Sequence, residues 1–132
     1  MTDKVEKSEA QWQSELTEEQ YEICRCKGTE PPFSGRFNEF KEPGVFTCVC
    51  CGAELFSSAH KYDSGSGWPS FYQVIEPQAV TEVRDQSHGM LRVEVLCSRC
   101  DAHLGHVFED GPPPTHLRYC INSVALGFRP AR

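Results

Sequence analysis

Eight cysteines in 132 residues are the side chains of this sequence best suited to chemistry, because a thiolate is both a soft metal ligand and a nucleophile. Cys48-Val-Cys-Cys51 and Cys97-Ser-Arg-Cys100 form two C-x-x-C pairs separated by 45 residues. Two cysteines at that spacing turn both sulfurs toward one ion, so the two pairs predict one closed tetrahedral zinc site. A closed site leaves no position for substrate. The predicted role is therefore structural, a clamp between two distant strand ends worth on the order of 10 kcal/mol. Gly52 suits the tight turn behind a ligand. Cys50 lies inside the first pair, and the equal spacing of Cys48/Cys51 and Cys97/Cys100 leaves it a bystander. Free buried thiols or two redox pairs are the competing readings of the same four cysteines.

Cys24, Cys26, Cys50 and Cys120 remain. On an extended strand Arg118, Cys120 and Asn122 share one face, since side chains repeat every two residues. A cation beside a thiol of pKa about 8.5 raises its thiolate fraction, and Asn122 offers donors and an acceptor to a polar substrate group. A cysteine in a β-rich run also serves simply as core filler. His103-Leu-Gly-His106 follows the second C-x-x-C pair directly; two imidazoles in a turn can converge on one site, hold a second metal or decorate the surface. Trp68, in Asp63-Ser-Gly-Ser-Gly-Trp-Pro-Ser-Phe71, reads either as core or as the wall of an apolar pocket for a methyl or thioether group.

The elements that position these groups follow from composition and pattern. Leu, Ile, Val and Phe number 28 of 132 residues, about 21%, just above the level of chains that stay disordered. With Gly 10 and Pro 9, a thin core needs a staple. Ser8 and the capping box Thr17-Glu-Glu-Gln20 predict a helical lead over about 8–28, with Gly28 at its end and a frayed extreme N-terminus. From about 44 to 129 short β-rich runs alternate with Gly, Pro, Asn, Asp or Ser: Val45–Val49, Phe71–Ile75, Val80–Val83, Leu91–Leu96, Leu104–Phe108, Leu117–Ile121 and Val124–Phe128. Leu91-Arg-Val-Glu-Val95 alternates as an antiparallel strand with one wet face does. The expectation is a single, mainly β domain of compact antiparallel sheets, a distorted barrel or sandwich with short N-terminal helices. A mixed α+β fold with more helix is the alternative.

A net charge of −6, of which −4 lies within residues 1–42, argues against nucleic acid or an anionic lipid surface as partner. No apolar run reaches the roughly 20 residues of a membrane span, and the first residues do not read as a signal peptide. The cytoplasm is then expected, where thiols stay reduced.

Gly67-Trp-Pro-Ser-Phe71, His103-Leu-Gly-His106-Val-Phe108, Asp110-Gly-Pro112 and Arg118-Tyr-Cys-Ile-Asn-Ser123, in order with both C-x-x-C pairs, resemble the B-type methionine sulfoxide reductases. The likeness runs from about Trp12 to Phe128 and includes Leu16-Thr17, Gly28-Thr-Glu30 and Phe33-Ser-Gly35. It implies a zinc-clamped antiparallel β fold and reduction of the R epimer of methionine sulfoxide in peptides and proteins. It further implies that Cys120 is the nucleophile and that His103 and His106 orient and protonate the sulfoxide oxygen. Arg118 would favour the Cys120 thiolate and Asn122 would help position substrate. Trp68 would receive the S-methyl group, with Phe108 as its neighbour, and Cys120 would end the step as sulfenic acid. A monomer reduced by thioredoxin is expected. A non-catalytic zinc-clamped peptide-binding module and a general thiol–disulfide oxidoreductase are the other functions weighed.

The sequence departs from that family twice. Its common resolving cysteine falls where this chain has Ser66, and a hydroxyl forms no disulfide. Cys24 and Cys26 are the internal candidates, pointing to opposite sides of a helix at roughly 100° per residue; an external thiol is the alternative. His116 stands where the family commonly has glycine.

Overall fold

The computed structural model describes residues 5–86 and 92–131. The predicted fraying of the first residues falls mostly outside that range, as does Leu91. Two short helices lead the chain. α1 (Glu9–Glu15) and α2 (Glu18–Cys26) each begin with a complete capping box, Ser8 with Gln11 and Thr17 with Gln20. The two boxes satisfy backbone donors that a helix start would otherwise leave open. Trp12 of α1 is buried under the Arg25 guanidinium, 4.4 Å from the ring, which locks the two helices together. α2 stops one residue earlier than predicted: Lys27, with φ of 61°, takes the left-handed capping position in place of Gly28.

Among the described residues nine strands follow: β1 (Gly44–Cys48), β2 (Glu54–Ser57), β3 (Lys61–Tyr62), β4 (Ser70–Phe71), β5 (Val80–Asp85), β6 (Arg92–Cys97), β7 (His103–Phe108), β8 (Arg118–Ile121) and β9 (Leu126–Pro130). They form two antiparallel sheets, a three-stranded β2-β1-β9 and a six-stranded β3-β4-β8-β7-β6-β5. The mainly β, antiparallel expectation is met. Neither sheet closes on itself, so the barrel alternative is corrected to two open sheets. Sequence patterning also overlooked β2 and β3, four and two residues long with no alternation to mark them. The predicted strand Phe71–Ile75 reduces to Ser70–Phe71, because Tyr72 and Ile75 donate instead to His60 and Leu55 carbonyls.

The core between the sheets is aromatic. Phe37, Phe46, Phe56 and Phe71 are fully buried. Phe56 and Phe71 stack at 4.3 Å, and Phe46 meets Phe71 edge-on at 5.2 Å. A few large rings take the place of many aliphatic side chains, which is how so low an aliphatic content supplies a core.

Candidate functional site

The four paired cysteines come together as predicted. Cys48 ends β1 of the small sheet, while Cys97 ends β6 of the large one, so the group ties the two sheets to each other. Their sulfurs lie within 4.8 Å of one another, with Cys48–Cys100 and Cys51–Cys97 both at 3.6 Å. Four sulfurs about 2.3 Å from one ion would stand about 3.8 Å apart; the donor set fits a tetrahedral metal. Each pair sits on the same backbone turn. Gly52 donates to the Cys48 carbonyl and Cys48 to that of Ala53; Asp101 donates to Cys97 and Cys97 to Ala102. Gly52 and Asp101 hold the matching left-handed positions, φ 80° and 62°. Cys50 stays outside the group.

The second cluster lies on the large sheet. β7 and β8 pair so that His106 opposes Cys120 and Phe108 opposes Arg118. Gly105 permits this approach: a Cβ there would stand 2.0 Å from the Cys120 carbonyl oxygen. Cys120 lines a cleft of about 290 Å³ together with Ser66, Trp68, His106, Phe108, Arg118 and Asn122. Thr29, Arg92 and Gly105 complete its lining; Thr29 lies in a motif of the family likeness but was given no role there, and Arg92 was read only as part of an alternating strand.

Burial pushes the Cys120 thiol above its ordinary pKa, against the Ser66 hydroxyl and the Arg118 cation, which both favour the thiolate. The cation expected beside the sulfur is present, but desolvation outweighs it. Arg118 is itself held from two sides. Its Nε and Nη2 donate to the Asp110 carboxylate at 2.9 and 3.2 Å, and its guanidinium lies 4.5 Å from the Phe108 ring centroid. Asp110 is correspondingly pulled below the usual carboxylate range by those hydrogen bonds.

His103 and His106 stand three residues apart, an odd spacing that a regular strand sends to opposite faces. A bulge corrects this. Val95 opposes Gly105 but Leu96 opposes His103, so Leu104 is an extra residue, and the two imidazoles meet at 5.5 Å, edge to face. His106 reaches the cleft, whereas His103 is buried. Burial holds His103 below its ordinary pKa, although Glu94, 2.7 Å from Nδ1, acts in the other direction.

Trp68 and Asn122 are pinned by Glu30, which the family likeness includes but to which the sequence attached no role. The Glu30 carbonyl accepts from Trp68 Nε1 at 2.9 Å, and its backbone N–H donates to Asn122 Oδ1 at 2.9 Å. The buried Glu30 carboxylate accepts from Val124 N–H at 2.9 Å. Asn122 Nδ2 donates to the Leu104 carbonyl at 3.1 Å. The Asn122 amide thus braces the cleft wall through both its ends.

Ser66 Oγ lies 3.6 Å from Cys120 Sγ. Cys24 is in the core at 2% exposure, while Cys26, the last residue of α2, is exposed. His116 adopts φ of 61°, a conformation glycine reaches without strain.

A SelR domain family model matches residues 16–130. The chain is 60% identical over 127 residues to a Pseudomonas putida protein named peptide methionine sulfoxide reductase MsrB, covering 96% of this chain and 97% of that one. Proteins of the same name from Pseudomonas savastanoi pv. phaseolicola and Pseudomonas fluorescens are 61% and 60% identical over 128 residues, covering 97% of this chain and 98% of theirs. With the match running almost from end to end, the chain belongs to the SelR domain family, the B-type methionine sulfoxide reductases.

Proposed function

We propose that this chain reduces the R epimer of methionine sulfoxide in peptides and proteins through a Cys120 sulfenic acid. The observation that carries the reading is Cys120 in a cleft whose other walls are an indole, an imidazole and a guanidinium. Trp68 and Phe108 receive the thioether methyl group, with apolar contact as the source of affinity. The Cys120 sulfur attacks the sulfoxide sulfur. The proton of the thiol passes through the histidine pair to the sulfoxide oxygen, without which oxygen is a poor leaving group. The products are methionine and Cys120–SOH: the substrate sulfur is reduced by two electrons, the Cys120 sulfur is oxidised by two, and the oxygen has changed owner. A second thiol then attacks Cys120–SOH, forming a disulfide and releasing water. Thioredoxin reduces that disulfide.

Arg118 opposes the burial that keeps Cys120 protonated, and Asp110 holds it in place for that task. Asn122 and Glu30 keep Trp68 against the substrate. The four-cysteine group holds zinc, which when bound crosslinks the two sheets and takes no part in the reaction. For resolution, exposed Cys26 is the better placed of the two candidates, since Cys24 would have to leave the core. Residues 1–132 act as one domain, a cytoplasmic monomer with no nucleic acid or membrane partner. Among the described residues no helix is long and apolar enough to cross a membrane.

The test is turnover of separated R and S sulfoxides with dithiothreitol as reductant. R-epimer reduction that disappears in Cys120→Ser is the expected result. Equal reduction of both epimers, or unchanged activity in Cys120→Ser, would overturn the proposal.

A further inference from the structure

Glu94 was singled out by nothing in the sequence beyond its place in an alternating strand, where a charged residue belongs on the wet face. The structure puts it elsewhere. Glu94 opposes His106 across the β6–β7 pair, and its side chain is 3% exposed. One carboxylate oxygen lies 2.7 Å from His103 Nδ1; the other receives the Lys27 ammonium at 3.3 Å. His103 is 4% exposed. Its second nitrogen, Nε2, is buried with no hydrogen-bond partner among the described residues.

A buried carboxylate–imidazole pair is a poor device for stability. Desolvating both groups offsets most of their attraction, and apolar side chains of the same volume would serve the core as well. An imidazole with one nitrogen tied to a carboxylate and the other left as an acceptor is instead a device for choosing a tautomer. The carboxylate takes the Nδ1 proton as a hydrogen bond, Nε2 keeps its lone pair, and an arriving proton meets a counter-charge already in place. Burial works toward the same neutral resting form. Lys27 comes from the capping residue of α2, so the end of the helical lead is joined to this pair.

We propose that Glu94 is a positioning residue of the reaction, holding His103 as its Nδ1–H tautomer so that Nε2 is the nitrogen that takes up the proton during sulfoxide reduction. The inference rests on the reductase reading above and adds to it a residue outside the cleft wall. Glu94 touches neither substrate nor Cys120; it acts through His103.

Two measurements test it. Long-range proton–nitrogen NMR of the full chain labelled with nitrogen-15 histidine reads the tautomer directly. His103 should show the Nδ1–H pattern near neutral pH, and Glu94→Gln, whose amide can donate to Nδ1, should convert it to Nε2–H. Steady-state kinetics on an R-sulfoxide peptide should show kcat of Glu94→Gln reduced about 10- to 100-fold, the loss expected when a partner that orients a working imidazole is removed. KM should stay within about twofold, and Glu94→Asp should recover part of kcat. An Nε2–H tautomer in the unmodified protein overturns the proposal without any variant having to fold. So does a Glu94→Gln protein that has switched tautomer but keeps its kcat. Failure of the reductase reading looks different: the unmodified protein then lacks R-sulfoxide turnover whatever tautomer His103 shows.

Discussion

Ser66 Oγ and Cys120 Sγ face each other at 3.6 Å across the cleft. The position from which a second sulfur would close a disulfide on Cys120 is filled by a hydroxyl that hydrogen-bonds to it instead. In Ser66→Cys the introduced thiol should therefore form a disulfide with Cys120 after one equivalent of sulfoxide. Mass spectrometry of the unreduced protein should find that linkage in place of any bond to Cys24 or Cys26, and thioredoxin-supported turnover should rise. A variant that stays free of this crosslink after turnover would show the two side chains do not adopt bonding geometry.

The reactivity of Cys120 should follow pH from the alkaline side. Burial raises its pKa, while Arg118 pulls in the other direction, so the thiolate fraction grows as pH rises above neutral. Arg118→Met removes a favourable cation, and the midpoint of iodoacetamide alkylation of Cys120 should move to higher pH. A midpoint that moves down would mean Arg118 does not act on the sulfur as its geometry implies.

His103 makes folding stability fall on acidification. Its folded-state pKa is depressed by burial, so between that value and the ordinary value near 6.5 the unfolded chain binds a proton that the folded chain refuses. Protons then favour unfolding. The contribution is present above about pH 6.5 and is lost as pH falls toward the folded pKa, with a slope of at most about 1.4 kcal/mol per pH unit. In His103→Asn, urea unfolding between pH 7 and 5 should show a shallower decline than in the unmodified protein.

Asn122→Ala should loosen the cleft wall. It strands the buried Glu30 N–H, a loss of about 1–3 kcal/mol, and removes one of two donors to the Leu104 carbonyl, which keeps the residue 122 backbone N–H. Because Glu30 also anchors Trp68, KM for a sulfoxide peptide should rise several-fold. Urea unfolding and steady-state kinetics on the same preparation check both effects.

Metal removal should separate the two sheets. One zinc per chain is expected by elemental analysis, and Cys97→Ser or a strong chelator should lower the thermal midpoint by tens of degrees, since the site contributes on the order of 10 kcal/mol. Full stability after verified loss of metal would mean that the aromatic core alone joins β1 to β6.

The parts of this protein that depend on chain-local spacing were readable from its residues. Both C-x-x-C pairs and both capping boxes lie within four residues, and such short segments impose their geometry wherever they sit. Most strands from β5 onward were visible for the same reason. The short strands β2 and β3 were not, because they acquire strand character only by pairing with β1 and β4. The barrel alternative failed likewise: sheet closure is a matter of which edges meet, which no local pattern encodes.

The cleft divides in the same way. Residue types alone put Arg118 on the strand face of Cys120, and the motif order was specific enough to name the family. Only the tertiary structure decided that burial outweighs Arg118 at the Cys120 sulfur. It also placed Ser66 against that sulfur, and used a bulge at Leu104 to turn His103 and His106 to one side. Glu94 shows the limit most plainly. Along the chain it is one polar residue in an alternating strand, and it becomes a partner of His103 only where β6 meets β7. The physical reason is that desolvation, register and long-range hydrogen bonds are properties of surfaces brought together by folding, whereas ligand spacing and capping belong to the chain itself.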